Sequence, residues 1–380
     1  MQNQHHNKPS AGRKMAYTAV LLLLLLLTAE LIASVYYYHQ YGKRKSALAE
    51  LFYTLKNKAA AKKEERLKKE NNYRYQQMVR PGSPIQMTQA VYDETMAANR
   101  FVYEPWLEFR NADFSGTYVN IRGFERKTIP SFIAGNKDTV RIWFFGGSTM
   151  FGFNVADNET IPSQFAQLFK ESTRKKVSLE IYNFGVPYYF SFHEYKLFCQ
   201  LLRSNKAPQL AVFMDGLNDC WSYLNTYYQQ PYFSKTLSTL MQTNEAIFAA
   251  GSLVKHFPDT VLSSQQCDTL ISNYLHTVSL IEQEAAFYQT KPVFIIQPVP
   301  FYQYSNRQND PVCSKNTYPV FDYVYPKLEQ VFSNQSNKLF LGNLHKNAPA
   351  LPYIDAIHYS PLFSKQIASL ILQYLHDQIQ

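Results

Sequence analysis

The chain has 380 residues, 46% of them apolar and 18% charged, which is enough length and apolar content for one large domain or two modest ones and excludes disorder of the whole chain. Its formal charge of +9 looks like that of a nucleic-acid binder only until it is located: residues 43–80 carry twelve Lys/Arg against four Asp/Glu, a net of +8, and the remainder is close to neutral. The basic run reads as a solvated helix face or as a surface for anionic lipid headgroups, and no nucleic-acid partner is expected.

Residues 1–14 form a short basic tail. Residues 15–38 contain seven consecutive leucines (21–27) and close on Tyr36, Tyr37 and Tyr38, an aromatic cluster suited to a membrane interface. At about 1.5 Å rise per residue this stretch crosses a hydrocarbon core of about 30 Å, and it is read as an uncleaved transmembrane anchor. A cleavable signal peptide is the alternative, but its apolar region is ordinarily only about 7–15 residues and the small-residue site near Ala33 is weak. Lys43, Arg44, Lys45, Lys56 and Lys58 after the span outnumber Lys8, Arg13 and Lys14 before it. The basic-loop rule alone therefore leaves the body in the cytoplasm, yet large domains translocate largely regardless of such charges, and the extracytoplasmic side is expected from what the body does.

Residues 39–80, rich in Ala, Leu, Lys and Glu and free of proline until Pro81, predict a basic helical stalk. Residues 81–138 read as an irregular, Tyr/Phe-rich segment whose short alternating pieces, such as SGTYVNIRG, predict small strands packed on a body. The body, residues 139–380, alternates regularly. Strand-like runs fall at 139–145, 177–184, 209–215 and 292–299, with a weaker one at 338–344, and helix-period segments separate them. That order predicts a parallel sheet with helices on both faces and working residues in loops beyond the carboxyl ends of the strands. An aromatic insertion at about 221–262 interrupts the alternation and is expected near the mouth of the site.

Cysteines stand at 199, 220, 267 and 313, without a CxxC pair or a histidine at zinc-ligand spacing. Neither a metal nor a cofactor is expected; one bridge, for instance Cys267 to Cys313, stays open for an oxidising compartment.

The strand-end loops carry the chemistry. FFGGSTMFG presents Ser148, YNFGVPYY presents Gly185, MDGLNDC presents Asn218, and YIDAIHYS places Asp355 and His358 three residues apart before the last helix. A serine hydroxyl becomes a nucleophile when an imidazole takes its proton, and the imidazole works best when a carboxylate fixes its tautomer. Asp355 and His358 fit as orienter and base. The backbone N–H groups of Ser148 and Gly185, with the Asn218 amide, can supply three donors to a tetrahedral oxyanion.

With Ser, Gly, Asn and His in that chain order, the Asn in GLND and the His in DAIH, residues 139–378 resemble the SGNH hydrolases, the GDSL-type lipase/esterase superfamily, and the stretches ETIPSQFAQLF after the serine and SGTYVNIRGFERKT before it resemble its membrane-anchored bacterial members. The first block reads GGST where the family has GDS, and the second reads GVPYY where a glycine often follows the proline. The resemblance implies a flavodoxin-like three-layer α/β/α body with Ser148 as nucleophile, His358 as base, Asp355 as its partner, and Gly185 and Asn218 as oxyanion donors. The function it implies is acylhydrolysis of an O-acyl ester of a glycan, a lipid or a small molecule. An O-acyltransferase would use the same acyl-enzyme and pass the acyl group to a sugar hydroxyl. A non-catalytic, membrane-tethered glycan-binding or scaffold protein is the third reading.

Overall fold

The computed structural model describes residues 11–41, 85–135, 138–172, 177–204, 206–224, 261–310, 313, 317–333, 335–346, 348 and 351–379. The predicted stalk lies outside these residues apart from its first three positions, and so does most of the aromatic insertion at 221–262. The chain divides into two compact units, residues 1–71 and 72–380.

The described residues of the first unit form one helix, α1 (Ala11–Tyr41), which contains the apolar stretch Tyr17–Tyr36 with mean hydropathy 2.4 and leucines that are more than half exposed. It is the one helix among the described residues long and apolar enough to cross a membrane.

The second unit is built on five parallel strands: β7 (Thr139–Gly146), β8 (Ser178–Asn183), β9 (Leu210–Asp215), β10 (Lys291–Ile296) and β11 (Lys338–Phe340). Their spatial order is β8-β7-β9-β10-β11. Because side chains alternate across a strand, each strand feeds two cores. Ile142, Phe144, Val212, Met214, Val293 and Ile295 pack on one face, while Trp143, Phe145, Phe213, Phe294 and Ile296 pack on the other. Both faces are buried, so the strands read as continuous apolar runs rather than alternating ones.

The helices that cover these faces follow the same logic. On the first face lie α4 (Ile161–Glu171) and α9 (Pro361–Ile379), which present Phe165 and the four-residue-spaced stripe Phe363, Ile367, Ile371 and Leu375. On the second lie α5 (Ser191–Ser204), α7 (Ser264–Phe287) and α8 (Pro319–Phe332). Capping fixes their starts: the Thr160 hydroxyl accepts the Ser163 N–H, and Ser263 and Gln266 cap each other's backbone ahead of α7. That reciprocal cap is why α7 begins at 264, three residues before the Cys267 at which the apolar period starts.

Residues 85–135 are more ordered than the sequence predicts. They open with a helix, α2 (Ile85–Ala98), whose weak amphipathicity hid it. Next comes an antiparallel hairpin of β1 (Phe101–Glu104) and β2 (Glu108–Asn111), separate from the main sheet. The short strands β3 (Phe114–Ser115), β4 (Asn120–Arg122), β5 (Glu125–Arg126) and β6 (Phe132–Ile133) then extend the sheet antiparallel from β8. All four cysteines are buried free thiols. Cys267 and Cys313 belong to cores on opposite faces of the sheet, so the bridge left open by the sequence is not made.

Candidate active site

Strand β7 ends at Gly146, and Ser148 opens the one-turn helix α3 (Ser148–Phe151), so its N–H precedes any helical carbonyl that could accept it. Gly147 is required by crowding rather than by a turn. A Cβ there would lie 2.4 Å from Asn218 Nδ2, so any side chain would displace the Asn218 amide.

The loop at 353–359 is closed by the Tyr353–Tyr359 bridge, by the Ile354 N–H to the His358 carbonyl, and by the Tyr359 hydroxyl donating to the Pro298 carbonyl at 2.7 Å. At its tip, Asp355 Oδ1 accepts the N–H groups of Ile357 at 3.0 Å and His358 at 2.9 Å, an aspartate-capped turn that swings the imidazole back over the carboxylate. The three-residue spacing of DAIH is thereby explained. The His358 Nδ1–H donates to Asp355 Oδ2 at 2.8 Å, and the Ser148 hydroxyl donates to His358 Nε2 at 2.8 Å. Burial on its own would raise the Asp355 carboxyl, but the neighbouring His358 and the two backbone N–H groups outweigh it and hold it at about 2.

Asn218 lies in the first turn of α6 (Leu217–Leu224), the helix that follows β9. One hydrogen of its amide goes to the Tyr189 carbonyl at 2.6 Å, and an NH2 group has a second to offer. The turn before it is pinned by Asp219, which accepts the Ser191 hydroxyl at 2.6 Å and the Gly216 N–H at 3.3 Å. Ser148, Asn218, Asp355 and His358 thus meet from three loops.

Gly185 stands differently from its expected place. Its N–H donates to Asn183 Oδ1 at 2.9 Å rather than standing free for an oxyanion, and its missing Cβ would fall 2.3 Å from the Phe151 nitrogen. The glycine lets the backbone after β8 run against α3. The same Asn183 donates to the Met150 carbonyl at 3.1 Å and ties the two loops together.

Several participants carried no signal in the sequence. Phe153 stacks on the His358 ring at 4.5 Å between centroids. Asn154, with φ 64, donates to Asp355 Oδ2 at 2.6 Å. Beneath them the buried Arg126 guanidinium pairs with Asp157 at 2.8 Å and donates to the carbonyls of Phe151, Gly152 and Val155. The only cue available was the tolerance of asparagine for left-handed backbone.

His345 plays a structural part instead. It is pushed down to about 4 by burial, donates from Nε2 to the Tyr302 carbonyl, and accepts the Tyr353 hydroxyl. A cavity of about 560 Å³ opens beside β3 to β5, lined by Phe114, Ile121, Arg122, Glu125 and Lys127 among others, and includes none of the four assembled residues.

No protein-family model and no curated protein matches the chain. Among solved structures, a member of the lipolytic protein G-D-S-L family from Veillonella parvula aligns at 11% identity over 62% of this chain and 97% of its own, with a TM-score of 0.37. A variant of an acetyl xylan esterase from Geobacillus stearothermophilus aligns at 15% identity over 62% and 94%, with a TM-score of 0.35. At such identities and scores the chemistry must be read from the chain's own geometry.

Proposed function

We propose that this chain is a serine esterase of the SGNH type that cleaves O-acyl esters through an acyl-enzyme on Ser148. The observation that carries the reading is the unbroken line from Ser148 Oγ to His358 Nε2 at 2.8 Å and from His358 Nδ1 to Asp355 Oδ2 at 2.8 Å. In acylation the Ser148 oxygen attacks the ester carbonyl carbon while its proton passes to Nε2. Asp355 stays ionised and stabilises the imidazolium. The carbonyl oxygen becomes an oxyanion facing the Ser148 N–H and the second hydrogen of the Asn218 amide. Collapse breaks the ester C–O bond, and the departing alkoxide takes the proton from Nε2. Water then gives a proton to Nε2, attacks the acyl carbon, and frees Ser148 with that proton returned.

The substrate class is an O-acyl ester of an envelope glycan, a lipid or a related small molecule. The helix over Tyr17–Tyr36 anchors the enzyme in a membrane, with the body on the extracytoplasmic side. Ser148→Ala should bring ester turnover down to background, a loss of about 10⁴-fold or more, and abolish labelling by a serine-reactive phosphonate. A wild-type protein that neither turns over any ester nor labels would overturn the reading. For orientation, a C-terminal reporter active only after export should light up; signal from a cytoplasm-only reporter alone would reverse the placement.

A further inference from the structure

Asn154 sits in left-handed backbone, at φ 64, in the loop between α3 and the short 3₁₀ turn at Asp157–Glu159, and is 2% exposed. Glycine would satisfy that backbone with no steric cost. What asparagine adds is an amide aimed at the triad: its Nδ2–H donates to Asp355 Oδ2 at 2.6 Å, the oxygen that also accepts the His358 Nδ1–H at 2.8 Å. The imidazole Nδ1 straddles the carboxylate, 2.9 Å from Oδ1 and 2.8 Å from Oδ2; Oδ1 also takes the backbone N–H groups of its own turn, whereas the further donor to Oδ2 is the Asn154 amide.

The loop that presents the amide is fixed from below. Arg126 bonds the carbonyls of Phe151, Gly152 and Val155 on both sides of Asn154, and Asp157 balances its charge. Phe153, the preceding residue, covers the face of the imidazole.

We propose that Asn154 is a positioning residue for acyl transfer, holding Asp355 Oδ2 in line with His358 Nδ1 so that the imidazole keeps the tautomer and orientation that accept the serine proton. The inference rests on the esterase reading above.

The test uses the full-length protein in detergent with p-nitrophenyl acetate, measuring kcat and KM from pH 5 to 9 for wild type, Ser148→Ala, Asn154→Gly and Asn154→Asp. Asn154→Gly preserves the backbone and removes only the amide, and should lower kcat about tenfold or more with KM within about twofold. Asn154→Asp sets two carboxyl groups at hydrogen-bond distance, where they share one proton. While that proton is held the donor is restored; once it leaves, two anions repel. This variant should therefore gain a descending alkaline limb that wild type lacks, a signature internal to one folded protein that survives any loss of stability in Asn154→Gly. A kcat within twofold of wild type for Asn154→Gly, or a profile for Asn154→Asp without that limb, overturns the inference while leaving Ser148-dependent turnover intact. Absence of Ser148-dependent turnover in wild type overturns both.

Discussion

A partly buried carboxyl, Asp355, and a cluster of more deeply buried ones border the site, and they end in opposite states. Asp355 faces His358, two backbone N–H groups and the Asn154 amide, and is held at about 2. Around the turn that carries Asn218, Glu194, Asp215 and Asp219 are 0%, 4% and 5% exposed, and burial raises all three carboxyls. Asp219 has the Ser191 hydroxyl and the Gly216 N–H to steady it, whereas no carboxyl oxygen of Glu194 or Asp215 meets a hydrogen-bond donor among the described residues, and burial beside other carboxyls favours their neutral forms. Desolvation acts with the same sign in both places. Donors decide the outcome: where they converge the carboxyl is an anion that can stabilise imidazolium, and where they are missing it becomes a neutral packing group.

The sharpest way to break this contrast is Asp355→Asn. The amide keeps the shape of the carboxylate but presents an NH2 group where only acceptors belong, which favours the wrong imidazole tautomer, and kcat/KM should fall about 10⁴-fold. A loss below tenfold would show that the anion beside His358 is not needed. The depressed carboxyl also bears on stability: a folded value below the ordinary one adds stability that is present above about pH 3.8 and is lost as pH falls toward 2. Its ionisation is complete well before neutral pH, so it does not set the acid limb of activity at pH 5 and above.

What could be read in advance divides along physical lines. The parallel core was legible because a strand buried on both faces must be apolar at every position, as in residues 142–145 and 293–296. Ser148, Asn218, Asp355 and His358 were legible because loops at strand ends converge, and because an aspartate-capped turn needs His358 only three residues away. The remainder depended on contacts between distant parts of the chain. Asn154 meets Asp355 across 201 positions, and Arg126 reaches Val155 from a segment that reads as irregular. Gly185 was identified as a special backbone position, but whether its N–H faces an oxyanion or the Asn183 side chain is a matter of side-chain rotamers, which spacing does not encode.

The smaller effect probes the other half of the contrast. Glu194→Gln replaces an acid that burial already favours in its neutral form with a neutral isostere whose amide can donate to Asp215. At pH 7 the variant should unfold within about 1 kcal/mol of wild type or require more denaturant, instead of showing the several-kcal loss that follows breaking a buried ion pair. The pH dependence carries the sign. A folded-state carboxyl raised above its ordinary value contributes stability that is full below about pH 4.5 and is lost as pH rises through the raised value, because the native state binds the proton more tightly than the unfolded chain. Glutamine has no proton to lose, so denaturation midpoints measured from pH 5 to 9 should move in favour of the variant as pH increases. A constant deficit of several kcal/mol would instead mean that Glu194 is an ionised partner in the native state, and that the two carboxyl regions differ less than their donors imply.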